Sequence, residues 1–174
     1  MSNVWFTSDW HLGHPASARI RGFDTVEEHD ATIINNIKTM CGKKDKLFIL
    51  GDVAWNMNSI EQLEDLPQTK ELIIGNHDTL NTQVYLKYFT KVHGFRKYKN
   101  FWLSHCPIHP QELFRCFGNI CGHEHMSDMY GNVHGHLHNG AATPPLALPY
   151  FNVNVDFNDY KPINLDTIIE AYNE

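Results

Sequence analysis

The sequence predicts an α/β layered fold, and three observations carry that reading. Short apolar runs ending in Gly, Asp, Asn or Ser alternate with longer stretches of helical period, the rhythm of strands and helices stacked in layers. A length of 174 residues is enough for one domain with a sizeable core and too short for two ordinary ones, so residues 1–174 are expected to form a single domain. The composition, 42% hydrophobic and 20% charged, is that of an ordinary globular chain.

The elements follow in order. Residues 4–8 (VWFTS) are short, apolar and rich in β-formers, and are expected to be a strand. Residues 26–40 should be the best helix, since Val26, Ile33, Ile34, Ile37 and Met40 make one apolar face and Thr25 with Glu28 reads as a capping box. Residues 46–50 (KLFIL) and 71–75 (ELIIG) are the next strands, with a helix between them near 59–66. A third helix is expected near 81–89, then strands at 100–104 (NFWLS), 132–135 (NVHG) and 151–156 (FNVNVD). The Pro- and Gly-rich stretch 139–150 reads as loop, and a last helix is expected over 165–172 (LDTIIEAY).

Charge and composition exclude several function classes. A formal charge of −6 lacks the clustered Lys and Arg needed to neutralise long nucleic acid, so stable duplex binding is not expected. No segment reaches the roughly 18 apolar residues of a membrane span, and the N-terminus has no secretory pattern, so the cytoplasm is the expected location. Cys41, Cys106, Cys116 and Cys121 are then expected to be reduced thiols. The outlier is histidine, twelve in one chain and several in clusters, which points to metal or proton chemistry.

Five apolar runs lead straight into residues of metal-binding type. They are followed by Asp9 and His11, by Gly51-Asp52, by Asn76-His77-Asp78, by His105, and by His136 and His138. Strand ends in α/β sheets converge on one rim, so these side chains should share a cavity. A mixed nitrogen and oxygen set without thiolate suits Mn²⁺, Fe, Zn²⁺ or Ni²⁺ better than a closed structural zinc. At each position alone a plain reading competes: Asp as a helix cap, Asn-His-Asp as a turn, a single His as a satisfied polar side chain.

The ordered set Asp9-Trp-His11, Gly51-Asp52, Gly75-Asn76-His77-Asp78, His105 and Gly135-His-Leu-His138 resembles the calcineurin-like metallophosphoesterase superfamily, closest to its short, cap-free bacterial and phage members. The resemblance implies a four-layer αββα sandwich with mixed sheets and two divalent metal ions, Mn²⁺ first among the candidates. It places Asp9, His11 and His138 on one ion, Asn76, His105 and His136 on the other, and Asp52 between them. It makes His77 the proton donor, and the reaction an attack on phosphorus by a hydroxide shared between the ions. The expected substrate is a small phosphodiester, nucleotide-derived ones included, or a phosphomonoester, with a nuclease or a non-catalytic interaction scaffold as the alternatives.

One departure bears on specificity. After Gly51-Asp52 the chain reads VAWN, without the Asp-Arg-Gly of the superfamily's protein phosphatases, so that phosphate-gripping arginine is missing. Substrate oxygens are expected to meet Asn76 and, beyond the first motif, His14, Arg19 and Arg21, the alternative being a solvated basic face. The aromatic residues Trp10, Trp55, Phe114 and Phe117 are expected in the core, with base stacking as the alternative.

The chain also repeats itself. Asn119-Ile-Cys-Gly-His-Glu-His125 recurs thirteen residues on as Asn132-Val-His-Gly-His-Leu-His138. The second copy is expected to hold metal, because an apolar residue separates its histidines and the strand 151–156 follows. The first, with His123, Glu124 and His125, is expected to rim the site; a zinc site with Cys116 and Cys121 is the competing reading and has crowded spacing.

Overall fold

The computed structural model describes residues 2–110, 131–139 and 146–173. Its larger sheet contains β1 (Val4–Thr7), β2 (Lys46–Ile49), β3 (Thr69–Ile73) and β4 (Lys91–His93), all parallel neighbours, and β9 (Ile163–Asn164) lies antiparallel beside β1. The smaller sheet runs β5 (Arg96–Tyr98), β6 (Phe101–Leu103), β7 (Gly131–His134), β8 (Tyr150–Asn152), antiparallel at β5–β6 and parallel after it. Both sheets are therefore mixed, and the fold is the four-layer αββα sandwich.

Alternation along the strands shows how the layers are held. Leu47 and Ile49 of β2 join Leu72 of β3 in one core, with Ile33, Ile34 and Ile37 of α2 (Val26–Met40), Ile60 of α3 (Met57–Ile60) and Tyr85 of α4 (Thr82–Tyr88). The intervening residues Phe6, Phe48, Leu50 and Ile73 face the other way and meet Phe101, Leu103 and Val133 of the second sheet. A period of two thus gives the larger sheet two apolar faces, one for helices and one for its partner sheet. Phe48 stacks on Phe6 at 5.3 Å and packs on Tyr98 of β5 at 4.7 Å, so aromatic rings join the sheets directly.

The expected helix at 26–40 has the bounds expected, and the Thr25 hydroxyl accepts the Glu28 amide at 3.1 Å. Its buried face differs: His29 and Asp30 lie inside with the three isoleucines, and Met40 is exposed. The helix expected at 59–66 begins at Met57 and tightens into a 3₁₀ turn over Glu61–Asp65. The run 151–156 is strand only to Asn152 and then turns through a 3₁₀ segment, Val155–Phe157.

Four elements lack a sequence signal of their own. Helix α1 (Pro15–Ile20) has six residues, and β4, β5 and β9 have three or two, too short for a period to show. The polar residues of β4 and β5 have an internal partner. Glu71 is buried on β3 and pairs with Lys46 at 2.9 Å, with His93 at 3.1 Å and with Arg96 of the second sheet. Helix α5 (Leu165–Asn173) starts where Asn164 accepts the Asp166 amide at 2.9 Å, and it sends Leu165 and Ile168 into the inter-sheet core. No described helix is long and apolar enough to cross a membrane.

Candidate metal centre

Because β1, β2 and β3 are parallel, their carboxyl ends open on one rim. The pairing does not stop with the strands. The amides of Asp9, His11 and Leu12 donate to the carbonyls of Gly51, Asp52 and Val53 at 2.9, 2.9 and 3.0 Å, and the Trp55 amide returns to Leu12 at 2.9 Å. On the second sheet the Gly135 amide donates to the His105 carbonyl at 2.9 Å. Ser8 and Asn154 form a bridge, which joins the two sheet ends.

Close packing of these loops fixes their composition. Asp9, His11, Asp52 and His136 all have left-handed backbone, with φ of 59, 48, 55 and 67°. Asp and His tolerate that region better than most residues, and such conformations concentrate at functional sites. Gly51, at φ 91°, has no room for a side chain: a Cβ would meet the His105 ring and approach Gly75 Cα to 2.7 Å.

The expected ligand residues converge. Ligand atoms of Asp9, His11 and His138 lie within 4.8 Å of one another, as do those of Asp9, Asp52 and His105. Asp52 Oδ2 sits 3.4 Å from His105 Nε2 and 3.7 Å from His11 Nε2. Asn76 Oδ1 is 2.9 Å from His105 Nε2, and His136 Nδ1 is 3.2 Å from the same atom. His77 stands at the edge: its amide donates to Asp52 Oδ1 at 2.8 Å, and its exposed ring lies 5.5 Å from that of His11.

Two of these imidazoles are held from behind. His105 Nδ1 donates to the Leu50 carbonyl at 2.7 Å and His138 Nδ1 to Asp156 at 2.7 Å, which aims each Nε2 into the site. Burial pushes the Asp9 carboxyl up to about 6 against the pull of His105, Ser8 and His138. Burial alone would lower His105, but the hydrogen bond to Asp52 and the charges of Asp9 and Asp52 outweigh it and take the ring up to about 9. Burial takes His11 down to about 3.

These features fit a cation. Asp9 Oδ1 is buried with no hydrogen-bond partner among the described residues. His105 Nε2 faces Asn76 Oδ1, Asp52 Oδ2 and His136 Nδ1, four electron-pair atoms that only a proton or a metal ion can hold together. A bound dication would replace that proton and draw Asp9 back to its charged form.

A model of the family described as calcineurin-like phosphoesterase matches residues 2–171. The chain belongs to the calcineurin-like phosphoesterase family. Such enzymes generally bind divalent metals, in keeping with the ligand-type clusters above. The Gene 66 protein of Mycobacterium phage L5 is 44% identical over 84 residues, and that of phage D29 39% over 83. Each match covers 45% of this chain and 41% of the phage protein, so the chain spans about two-fifths of the length of these relatives. The uncharacterized protein MJ1445 of Methanocaldococcus jannaschii is 28% identical over 180 residues, covering 98% of this chain and 91% of its own. Among solved structures, the protein of unknown function AQ665 from Aquifex aeolicus has the same fold, with a TM-score of 0.75, 24% identity and coverage of 98% and 99% of the two chains.

Of the residues expected to meet substrate, His14 lines a cavity beside His11 and His77, whereas Arg19 is exposed on α1 and is not part of that lining. Arg21 is not on a solvated face, although it lines that cavity. Its buried guanidinium donates to Asp156 at 2.7 Å, to the Asp9 and Trp10 carbonyls at 2.7 and 3.1 Å, and to His29 Nε2 at 2.9 Å. Trp10 is fully buried, as expected of a core residue, but Trp55 is 48% exposed. Phe114, Phe117, Cys116, Cys121, His123, Glu124 and His125 lie outside the described residues.

Sequence reasoning missed three participants. Asp78 binds the Asp52, Val53 and Gly75 amides at 2.9, 2.9 and 2.8 Å and so staples two rim loops; its place in the Asn-His-Asp motif was the available signal. Asp156 orients His138 and had only its strand-end position to mark it. The Cys106 sulfur lies within 4.8 Å of ligand atoms of His105 and His136, with adjacency to His105 as the sole hint.

Proposed function

We propose that this protein is a metal-dependent phosphohydrolase acting on a small phosphodiester, nucleotide-derived ones included, with a phosphomonoester as the second substrate class. The observation that supports this best is the convergence of Asp9, His11, Asp52, Asn76, His105, His136 and His138, from five separate segments, on one rim. Asp9, His11 and His138 would hold one divalent ion, Asn76, His105 and His136 a second, with Asp52 shared; Mn²⁺ is the leading candidate, and Fe, Zn²⁺ or Ni²⁺ the others. When bound, such a pair supplies a water acidic enough to attack phosphorus and neutralises charge on the phosphoryl oxygens.

The chain's own residues do the rest. Asp52 keeps the ligand sets together, its Oδ1 fixed by the His77 amide. His77 is exposed beside the His11 ring, where an imidazole can pass a proton to a departing alkoxide. A diester is favoured because Arg21 is committed to protein partners, which leaves the site short of fixed cations for a dianionic monoester.

Elemental analysis after reconstitution with Mn²⁺ should give two ions per chain. Asp52→Asn should lose at least one ion and lower kcat/KM by more than about a hundredfold, since even outer-shell changes cost 10–100-fold. Undiminished turnover in that variant would overturn the assignment, and a strong monoester preference on paired aromatic substrates would overturn the diester reading.

A further inference from the structure

Beside the candidate centre lies a cavity of about 300 Å³ whose walls include His11, His14, Ile20, His77 and His138. That volume is at the low end for small-ligand sites, enough for one ring system. Imidazole rings and the aliphatic Ala16 and Ile20 make up much of its wall, and Ser17, Arg21, Asn139 and Asp156 complete it. The His14 ring lies 6.0 Å from that of His11; Trp55 is outside this lining but borders it, packing on His14 at 4.0 Å and standing 6.0 Å from His77. Ile20, 82% exposed, adds an aliphatic edge to the cavity.

The wall is fixed in advance. His14 Nδ1 accepts the amides of Ala16 and Ser17 at 3.2 and 3.3 Å, so that atom carries a lone pair and the ring cannot swing away. Trp55 is anchored by its amide to Leu12, on the same ladder that carries Asp9 and Asp52. Among the described residues lining the cavity the one permanent cation is Arg21, whose guanidinium is already bound to Asp156 and to the Asp9 and Trp10 carbonyls. Among the described lining residues no permanent cation is left uncommitted for an anionic leaving group.

We infer that this cavity is the leaving-group subsite and that it takes an uncharged planar aromatic ring, a nucleobase or an aryl group, which enters beside His14 and His77 and extends to Trp55 at the cavity's border. This rests on the phosphohydrolase reading and adds what kind of ester the enzyme selects. Trp55 and His14 act as specificity residues: they hold the departing group, and the bond cleaved is unchanged.

Non-hydrolysable phosphonates separate the two levels. Calorimetry on the Mn²⁺-loaded protein should show benzylphosphonate binding about tenfold more tightly than methylphosphonate, in line with the stacking of one ring on an aromatic side chain. Trp55→Ala should bring the two ligands close to parity, and Trp55→Phe should restore most of the difference. Equal binding by the unaltered protein, or a benzyl advantage that survives Trp55→Ala, would overturn the aromatic subsite alone. Absence of turnover of both the aromatic diester and the aromatic monoester by the same Mn²⁺-loaded protein would instead overturn the phosphohydrolase reading beneath it.

Discussion

His134 shows how a single side chain can set the acid limit of this fold. It is buried at the end of β7, two residues before His136, its Nδ1 donates to the Gly135 carbonyl at 2.8 Å, and Nε2 has no partner among the described residues. Burial, helped by the positive charges of His105 and His136, takes the ring from the usual 6.5 down to about 4. Between those values the unfolded chain binds a proton that the folded chain refuses. The stability tied to His134 is therefore complete above pH 6.5 and is lost as the pH falls towards 4, by roughly 3 kcal/mol at about 1.4 kcal/mol for each pKa unit. Urea unfolding in EDTA at pH 7.5 and 4.5 should show that loss, and His134→Leu should flatten the pH slope. An equal slope in the variant would mean that other groups carry it.

At the scale of elements, Arg21 joins pieces that the sequence keeps apart. It closes α1, grips the backbone of the loop after β1, and pairs with the carboxylate that orients His138 more than a hundred residues away. Arg21→Lys keeps the charge but cannot reproduce a planar fork shared among four acceptors. The substitution should weaken metal binding at the Asp9, His11 and His138 set by about 10–100-fold and leave the Asn76, His105 and His136 set nearly intact, which calorimetric titration would resolve as two classes of site. Uniform weakening of both classes would reduce the contact to a general structural one.

The same contrast marks what could be read from the chain. Helix α2 and strands β1 to β3 were legible because each repeats its apolar period long enough to register, and the ligand-type residues were legible because they sit at the ends of those runs. The edge strands β4 and β5 were hidden by polar residues whose reason, the buried Glu71, belongs to another strand. The partners of Arg21 and the exposure of Trp55 were hidden for a related reason: local pattern gives neither the carbonyls that surround a cation nor the rings that leave a tryptophan at the surface.

On the scale of the whole molecule, Phe48 lies where β2 meets the second sheet, fully buried against Phe6 and Tyr98. If both sheets form one cooperative unit, Phe48→Ala should lower stability by roughly 3–5 kcal/mol and leave a single unfolding transition in which calorimetric and van't Hoff enthalpies agree. Two separated transitions would divide the chain into independently folding parts. The inter-sheet core thus bears directly on the rim, since four of the seven proposed ligand residues follow strands of the larger sheet and three follow strands of the smaller.

The ladder that runs on past β1 and β2, rung by rung from Asp9 to Trp55, has one more effect. Peptide spacing sets the gap between the two loops, so they act as a fixed gauge that cannot widen for a larger guest without breaking its own rungs. Calcium, with oxygen distances of about 2.3–2.6 Å against about 2.0–2.1 Å for magnesium, would have to be met by side-chain rotation alone. An ion held by Asp9, His11 and Asp52, as proposed, would thus meet a main chain that limits the radii it can accommodate.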